Sequence, residues 1–191
     1  MKHRQVFLTA IVVSALLGSP AIAQISEQYD SLSELIYEHG DYDEGNGTFE
    51  LYSEEPLEFR LSKVSIQGEP EQVTYYENWR AAAYGVYNTF AHTDIESLTV
   101  TATPLWIEGF MQRDNPRLLE ERSITLAMNR EQALDALEAA GGPDSLEAVK
   151  TKGGFGYQWS PEFLDVYYED RQPGLDALIQ ELREYCVGPC E

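Results

Sequence analysis

The residues of this chain that could do chemistry fall in three separate stretches. The first is His39-Gly-Asp41-Tyr-Asp43-Glu44-Gly-Asn46-Gly47. Oxygen-bearing side chains crowded among glycines suit Ca²⁺, a hard cation that takes oxygen ligands, so Asp41, Asp43 and Asn46 are candidate metal ligands. The EF-hand template does not fit. Counted from Asp41, its fifth, sixth and twelfth positions are Gly45, Asn46 and Tyr52, where the template needs an oxygen ligand, a glycine and a glutamate. A solvated turn is the default reading of the loop, and a calcium loop of another kind is the alternative.

The second stretch is Lys150-Thr-Lys152-Gly-Gly-Phe155-Gly-Tyr157-Gln-Trp159. Glycines allow close backbone approach, aromatic rings can stack on a ligand, and lysines are scarce elsewhere in this chain. Lys152, Phe155, Tyr157 and Trp159 are therefore candidate ligand contacts. The alternative is a packed surface loop with its rings tucked beneath it. A phosphate loop is excluded, because no Lys-Ser/Thr pair follows the glycines.

The third is Cys186-Val-Gly-Pro-Cys190, whose meaning depends on the compartment. Lys2 and Arg4 precede an apolar run from Val6 to Leu17, and Ala21-Ile22-Ala23 ends the segment on small residues. This is the pattern of a secretory signal peptide over residues 1–23, and the run is too short to span a bilayer. An exported chain, periplasmic or extracellular, predicts a Cys186–Cys190 disulfide that pins the tail. A copper or redox pair is the rival reading, and it lacks a neighbouring His or Met.

Catalytic signatures are absent: no G-x-S-x-G, no H-E-x-x-H and no zinc-type spacing. His92 follows a strong helical segment and reads as a C-terminal cap, where the negative helix end favours its charged form. With 33 acidic residues, pairs of carboxylates are inevitable and carry no information.

Residues 24–191 suit a single domain. Removing residues 1–23 takes away two of 13 basic residues and none of the 33 acidic ones, leaving 11 against 33, a net charge of −22. Such a surface repels nucleic acid and anionic lipid and would attract a basic partner. No second apolar run predicts membrane insertion after signal cleavage.

Periodicity supplies the scaffold. A helix is expected from Ser26 to Glu38, with Ser31 as a later cap, ending at Gly40. Strands follow at 48–53 and 57–66, the second with its alternation slipping near Ser62-Lys63, where a bulge or break is expected. Thr74 and Glu77 read as a capping box for a helix that presents Tyr76, Trp79, Ala83, Val86, Tyr87 and Phe90 on one stripe, with Gly85 small enough for close approach to a sheet. Strands are expected at 96–103 and 122–128, then helices at 130–140, 144–150, 162–168 and 175–185, the first of these capped by Asn129 and Gln132. The sum is an α+β domain: a mostly antiparallel sheet of about four strands, helices packed on one face, and a helical C-terminal part. The expected role is non-catalytic binding of a protein or small ligand outside the cytoplasm, with no cofactor other than a possible Ca²⁺. The alternatives are a small hydrolase using carboxylates and His92, and a calcium-dependent binding or adhesion module.

Overall fold

The computed structural model describes residues 27–109, 111, 115–154, 156–188 and 190. Residues 1–23, where a signal peptide is expected, and Phe155 lie outside them. The chain runs α1 (Leu32–His39), β1 (Phe49–Glu54), β2 (Leu57–Leu61), β3 (Val64–Ile66), α2 (Glu71–His92), β4 (Ser97–Ala102), β5 (Leu105–Ile107), β6 (Arg117–Leu118), β7 (Ile124–Asn129), α3 (Arg130–Ala139), β8 (Lys150–Gly153), β9 (Gly156–Trp159), α4 (Pro161–Tyr167) and α5 (Leu175–Leu182). The α+β architecture is as the periodicity predicts. A four-stranded sheet, ordered β1-β2-β4-β7, packs against α2, and the remaining helices gather around α2 and the C-terminal part.

The strand pairs are mostly antiparallel, but β2 and β4 run parallel, Leu57 facing Leu98 through Leu61 facing Ala102. Parallel neighbours need a long crossover, and α2 supplies it. The slip near Ser62-Lys63 is a real break between β2 and β3. Parallel bonding continues across it through Thr103 N–H to the Leu61 carbonyl and Leu105 N–H to the Lys63 carbonyl. Arg60, Leu61 and Ser62 are all buried there, because a slip in a two-residue period turns both strand faces inward. The guanidinium of Arg60 is satisfied by Glu50, the Gly47 carbonyl and the Ser62 hydroxyl.

α2 is the spine of the molecule. It begins at Glu71 behind Pro70, not at Thr74. Thr74 lies inside the helix, buried, with its hydroxyl bonded to Ser65 and Glu69 instead of capping a terminus. The helix is buried on nearly all sides from Ala81 to His92, polar Asn88, Thr89 and His92 included, so the single apolar stripe understates its burial. Gly85 makes the closest approach to the sheet. A Cβ there would lie 2.6 Å from Val100 Cγ2 and 3.2 Å from Leu61 Cδ1.

Local capping chemistry fixes the other helices. Ser31 caps α1 by accepting from Glu34 N–H, so the helix starts at Leu32 and not at Ser26, and Gly40 ends it in the left-handed conformation. Asn129 and Gln132 form both bonds of a capping box on α3, and Ser160 with Pro161 opens α4. Two segments differ from expectation. Residues 144–150 hold only a 3₁₀ turn, Glu147–Val149, before the chain enters β8. The glycine-rich stretch that follows is a hairpin, β8 paired with β9, not a loop. Among the described residues no helix is long and apolar enough to cross a membrane.

Candidate functional site

Each end of α2 carries a cluster of polar groups that includes a buried, unpartnered atom among the described residues. At its C-terminal end, Tyr84, Asn88 and His92 recur at i, i+4 and i+8 along one side of the helix. Across from them stand His39 and Asp41, delivered by the end of α1, and Lys150, Tyr157 and Trp159, delivered by the hairpin.

The two imidazoles meet edge to face, with centroids 4.8 Å apart and planes at 90°. His92 Nδ1 lies 3.1 Å from the Glu27 carbonyl. A carbonyl only accepts, so Nδ1 carries the proton and Nε2 is a bare acceptor, buried and without a partner among the described residues. His39 Nδ1 accepts from Asn88 Nδ2 at 3.2 Å, and the Asn88 Oδ1 is likewise buried and unpartnered. Tyr29 presses edge-on against both rings, and Tyr157 against His92.

Burial lowers the pKa of both histidines. It drives His39 down to about 4, with the charges of His92 and Lys150 pushing the same way. This corrects the expectation that the helix end keeps His92 charged. The ring is fully enclosed, and loss of hydration outweighs the attraction of the terminal carbonyls.

Lys150 extends the cluster. Its Nζ sits 3.4 Å from the Trp159 ring centroid and 5.8 Å from that of Tyr84. Desolvation pulls its ammonium down to about 8 against the opposing pull of Asp41. The Asp41 carboxylate accepts a 2.8 Å hydrogen bond from the Tyr84 hydroxyl, and burial pushes that phenol well above its ordinary range.

The residues singled out from sequence divide. Lys150, Lys152, Tyr157 and Trp159 share one face of the hairpin, since Lys150 pairs with Trp159 and Lys152 with Tyr157. Trp159 is half-buried against Phe163, Tyr167 and Tyr84, Tyr157 is half-buried against His92, and Lys152 is exposed. Of the acidic loop, Asp43 and Asn46 come together, with Asp43 Oδ1 accepting from Asn46 N–H and Asn46 Oδ1 from Thr48. Asp41 turns away to Tyr84. No group of three or more His, Cys, Asp or Glu poised for a metal occurs among the described residues. Cys186 and Cys190 form a disulfide. His92 contacts a main-chain carbonyl, not a carboxylate that could orient it as a base.

The second place, at the N-terminal end of α2, is an open groove of about 540 Å³. Gln72, Tyr75, Tyr76, Asn78, Arg122 and Ile124 are among its walls. The groove is not lined by His39, His92 or Lys150, so it lies apart from the cluster at the other end of the helix. Both tyrosines are held by their hydroxyls, Tyr76 to Asp176 at 3.2 Å and Tyr75 to Arg183 at 3.1 Å. Asn78 Nδ2 donates to the Arg122 carbonyl at 2.8 Å, which leaves the buried Oδ1 as an acceptor with no partner. Arg122 pairs with Glu71 at 3.2 Å. Sequence reasoning missed this groove. The signal was the adjacent pair Tyr75 and Tyr76, two amphipathic rings at the start of the helix.

No family model matches this chain, and neither a curated protein nor a solved structure is similar to it.

Proposed function

We propose that this is an exported, non-catalytic binding protein that takes a small amphipathic ligand in the groove at the start of α2. The observation that carries the reading is an open groove of about 540 Å³ lined by Asn78, whose side-chain Oδ1 lies just beneath the surface, buried and without a partner among the described residues. An unpaired buried acceptor costs free energy, which a ligand N–H or O–H donor recovers once it displaces the side chains that cover Oδ1. Tyr75, Tyr76 and Ile124 offer an apolar surface to the body of the same ligand. The net charge of −22 after signal cleavage favours a cationic donor, such as an amine. The disulfide is compatible with an oxidising compartment.

The test is backbone-amide NMR with a fragment set of arylalkylamines and their hydrocarbon-chain analogues lacking the amine. Amine fragments should shift the Tyr75, Tyr76 and Asn78 resonances, the analogues should do so less, and Asn78→Leu should remove the difference. Shifts that ignore the donor, or that survive Asn78→Leu unchanged, refute the reading.

A further inference from the structure

The opposite end of α2 carries an inference independent of the groove. The last carbonyls of a helix have no partners within it and must find others. Here the first described residues of the chain supply them. Tyr29 N–H donates to the His92 carbonyl at 2.8 Å, and Gln28 Nε2 to the Ala91 carbonyl at 3.3 Å. His92 returns a bond from Nδ1 to the Glu27 carbonyl, and the Tyr29 ring covers both imidazoles. The N-terminal segment is thus tied down by one histidine and roofed over a pair of them.

We propose that His92 and His39 form an acid-released latch, which holds residues 27–29 on the end of α2 when both rings are neutral and lets them go when the rings take up protons. A proton on His92 falls on Nε2, which is buried with no acceptor among the described residues. A proton on His39 falls on Nδ1, which then no longer accepts from Asn88. Two imidazoliums at this centroid separation repel each other, and the positive charge of Lys150, from the hairpin, opposes a proton on either ring.

The charged and titratable groups facing the pair are few among the described residues. From the N-terminal segment come the Glu27 carboxylate and the Tyr29 phenol, from the end of α1 Asp41, and from the hairpin Lys150 and Tyr157. Asp41 and Glu27 oppose the shift of His39 but are outweighed by desolvation. Among the described residues no carboxylate makes a hydrogen bond to either ring.

The sign follows from linkage. Release lets water back to the rings and moves them from the lowered closed state, near 4 for His39, toward the ordinary 6.5, so the open state binds more protons in between. The latch is strongest above 6.5 and weakens as pH falls toward 4. At pH ~5, a shift of this size in His39 alone favours opening by on the order of tenfold relative to pH ~7.

Amide hydrogen exchange in the folded chain, corrected for intrinsic rates, reads the latch at Tyr29 N–H, with Val100 N–H in the central strand as reference. The Tyr29 protection factor should fall by about tenfold from pH ~7 to pH ~5 while Val100 holds. The His39→Gln/His92→Gln double variant should show no such fall. Because His92 is fully buried, His39→Gln alone is the second variant, expected to weaken the pH dependence. Ring-proton titration of the native protein should place both midpoints below 6.5. The latch is overturned by Tyr29 protection that tracks Val100 at both pH values, by native midpoints at or above 6.5, or by wild-type pH dependence in the variants.

Discussion

Lys150 is the residue whose surroundings are least like those its type implies. A lysine in a glycine-rich stretch suggests a solvated charge, yet this one is buried with its ammonium over Trp159. Its lowered pKa means that the fold binds the proton less well than the unfolded chain between about 8 and 10.5. Stability therefore rises with pH in that window, on this account alone. Lys150→Met keeps the stem on the ring and removes the buried charge, so it should leave stability at pH 7 unchanged or higher and flatten the rise between pH ~8 and pH ~9.5, as measured by urea unfolding. The role of Gly85 is legible in the sequence, because a glycine set inside an aromatic helix stripe marks where the helix backbone comes close to a neighbour. Gly85→Ala should cost about 1–3 kcal/mol by overpacking against Val100, a stiff β-branched side chain, and outweigh the gain in helix propensity of about 1 kcal/mol. Urea unfolding of the variant measures the difference.

At the scale of elements, local chemistry succeeded where its partners are close in sequence. The capping box at Asn129 and Gln132 forms as expected, while the apparent one at Thr74 and Glu77 does not. The difference is that Pro70 supplies an earlier start, and Ser65 and Glu69 claim the Thr74 hydroxyl. The tail also gains a specific task. Strand β7 is the outer strand of the main sheet, and the tail lies along its free edge through a Leu126–Cys186 bridge and a Val187 N–H bond to the Thr125 carbonyl. Covering an edge removes a template for pairing with other chains. The Cys186→Ser/Cys190→Ser variant should remain folded and lose at most about 2 kcal/mol, since the closed loop is short. Exchange at the Val187 amide should accelerate, and self-association should increase in sedimentation at high concentration. An unchanged Val187 rate would show that the tail needs no disulfide to cover the edge.

For the whole molecule, charge and buried phenols set the working range. An excess of 20 negative charges over the full chain destabilises the compact state by self-repulsion. Raising NaCl from about 20 mM to about 500 mM should raise Tm, because the screening length falls well below the molecular radius. A Tm that falls with salt would refute this. At the alkaline end, Tyr84, Tyr87 and Tyr167 are buried, and burial raises the pKa of each phenol in the folded state. Their contribution is complete below pH ~10 and is lost as pH rises beyond it, where only the unfolded chain ionises. In an absorbance titration these three should ionise together with unfolding, not before it.

The sequence by itself determined most of the secondary elements, most of their caps and the acidic composition, and pointed to the cysteine pairing, because each depends on neighbours within a few residues or on composition; the β8–β9 hairpin and the lack of a helix at 144–150 escaped it. It also marked His39, His92, Asp41, Tyr157 and Trp159 as notable, one at a time. Only the tertiary structure decided that these residues meet, and that a groove with an unsatisfied Asn78 opens at the far end of the same helix. The physical reason is that α2 is buried on nearly all sides. A helix enclosed all round has no single stripe to read, and which side chain meets which depends on elements distant along the chain.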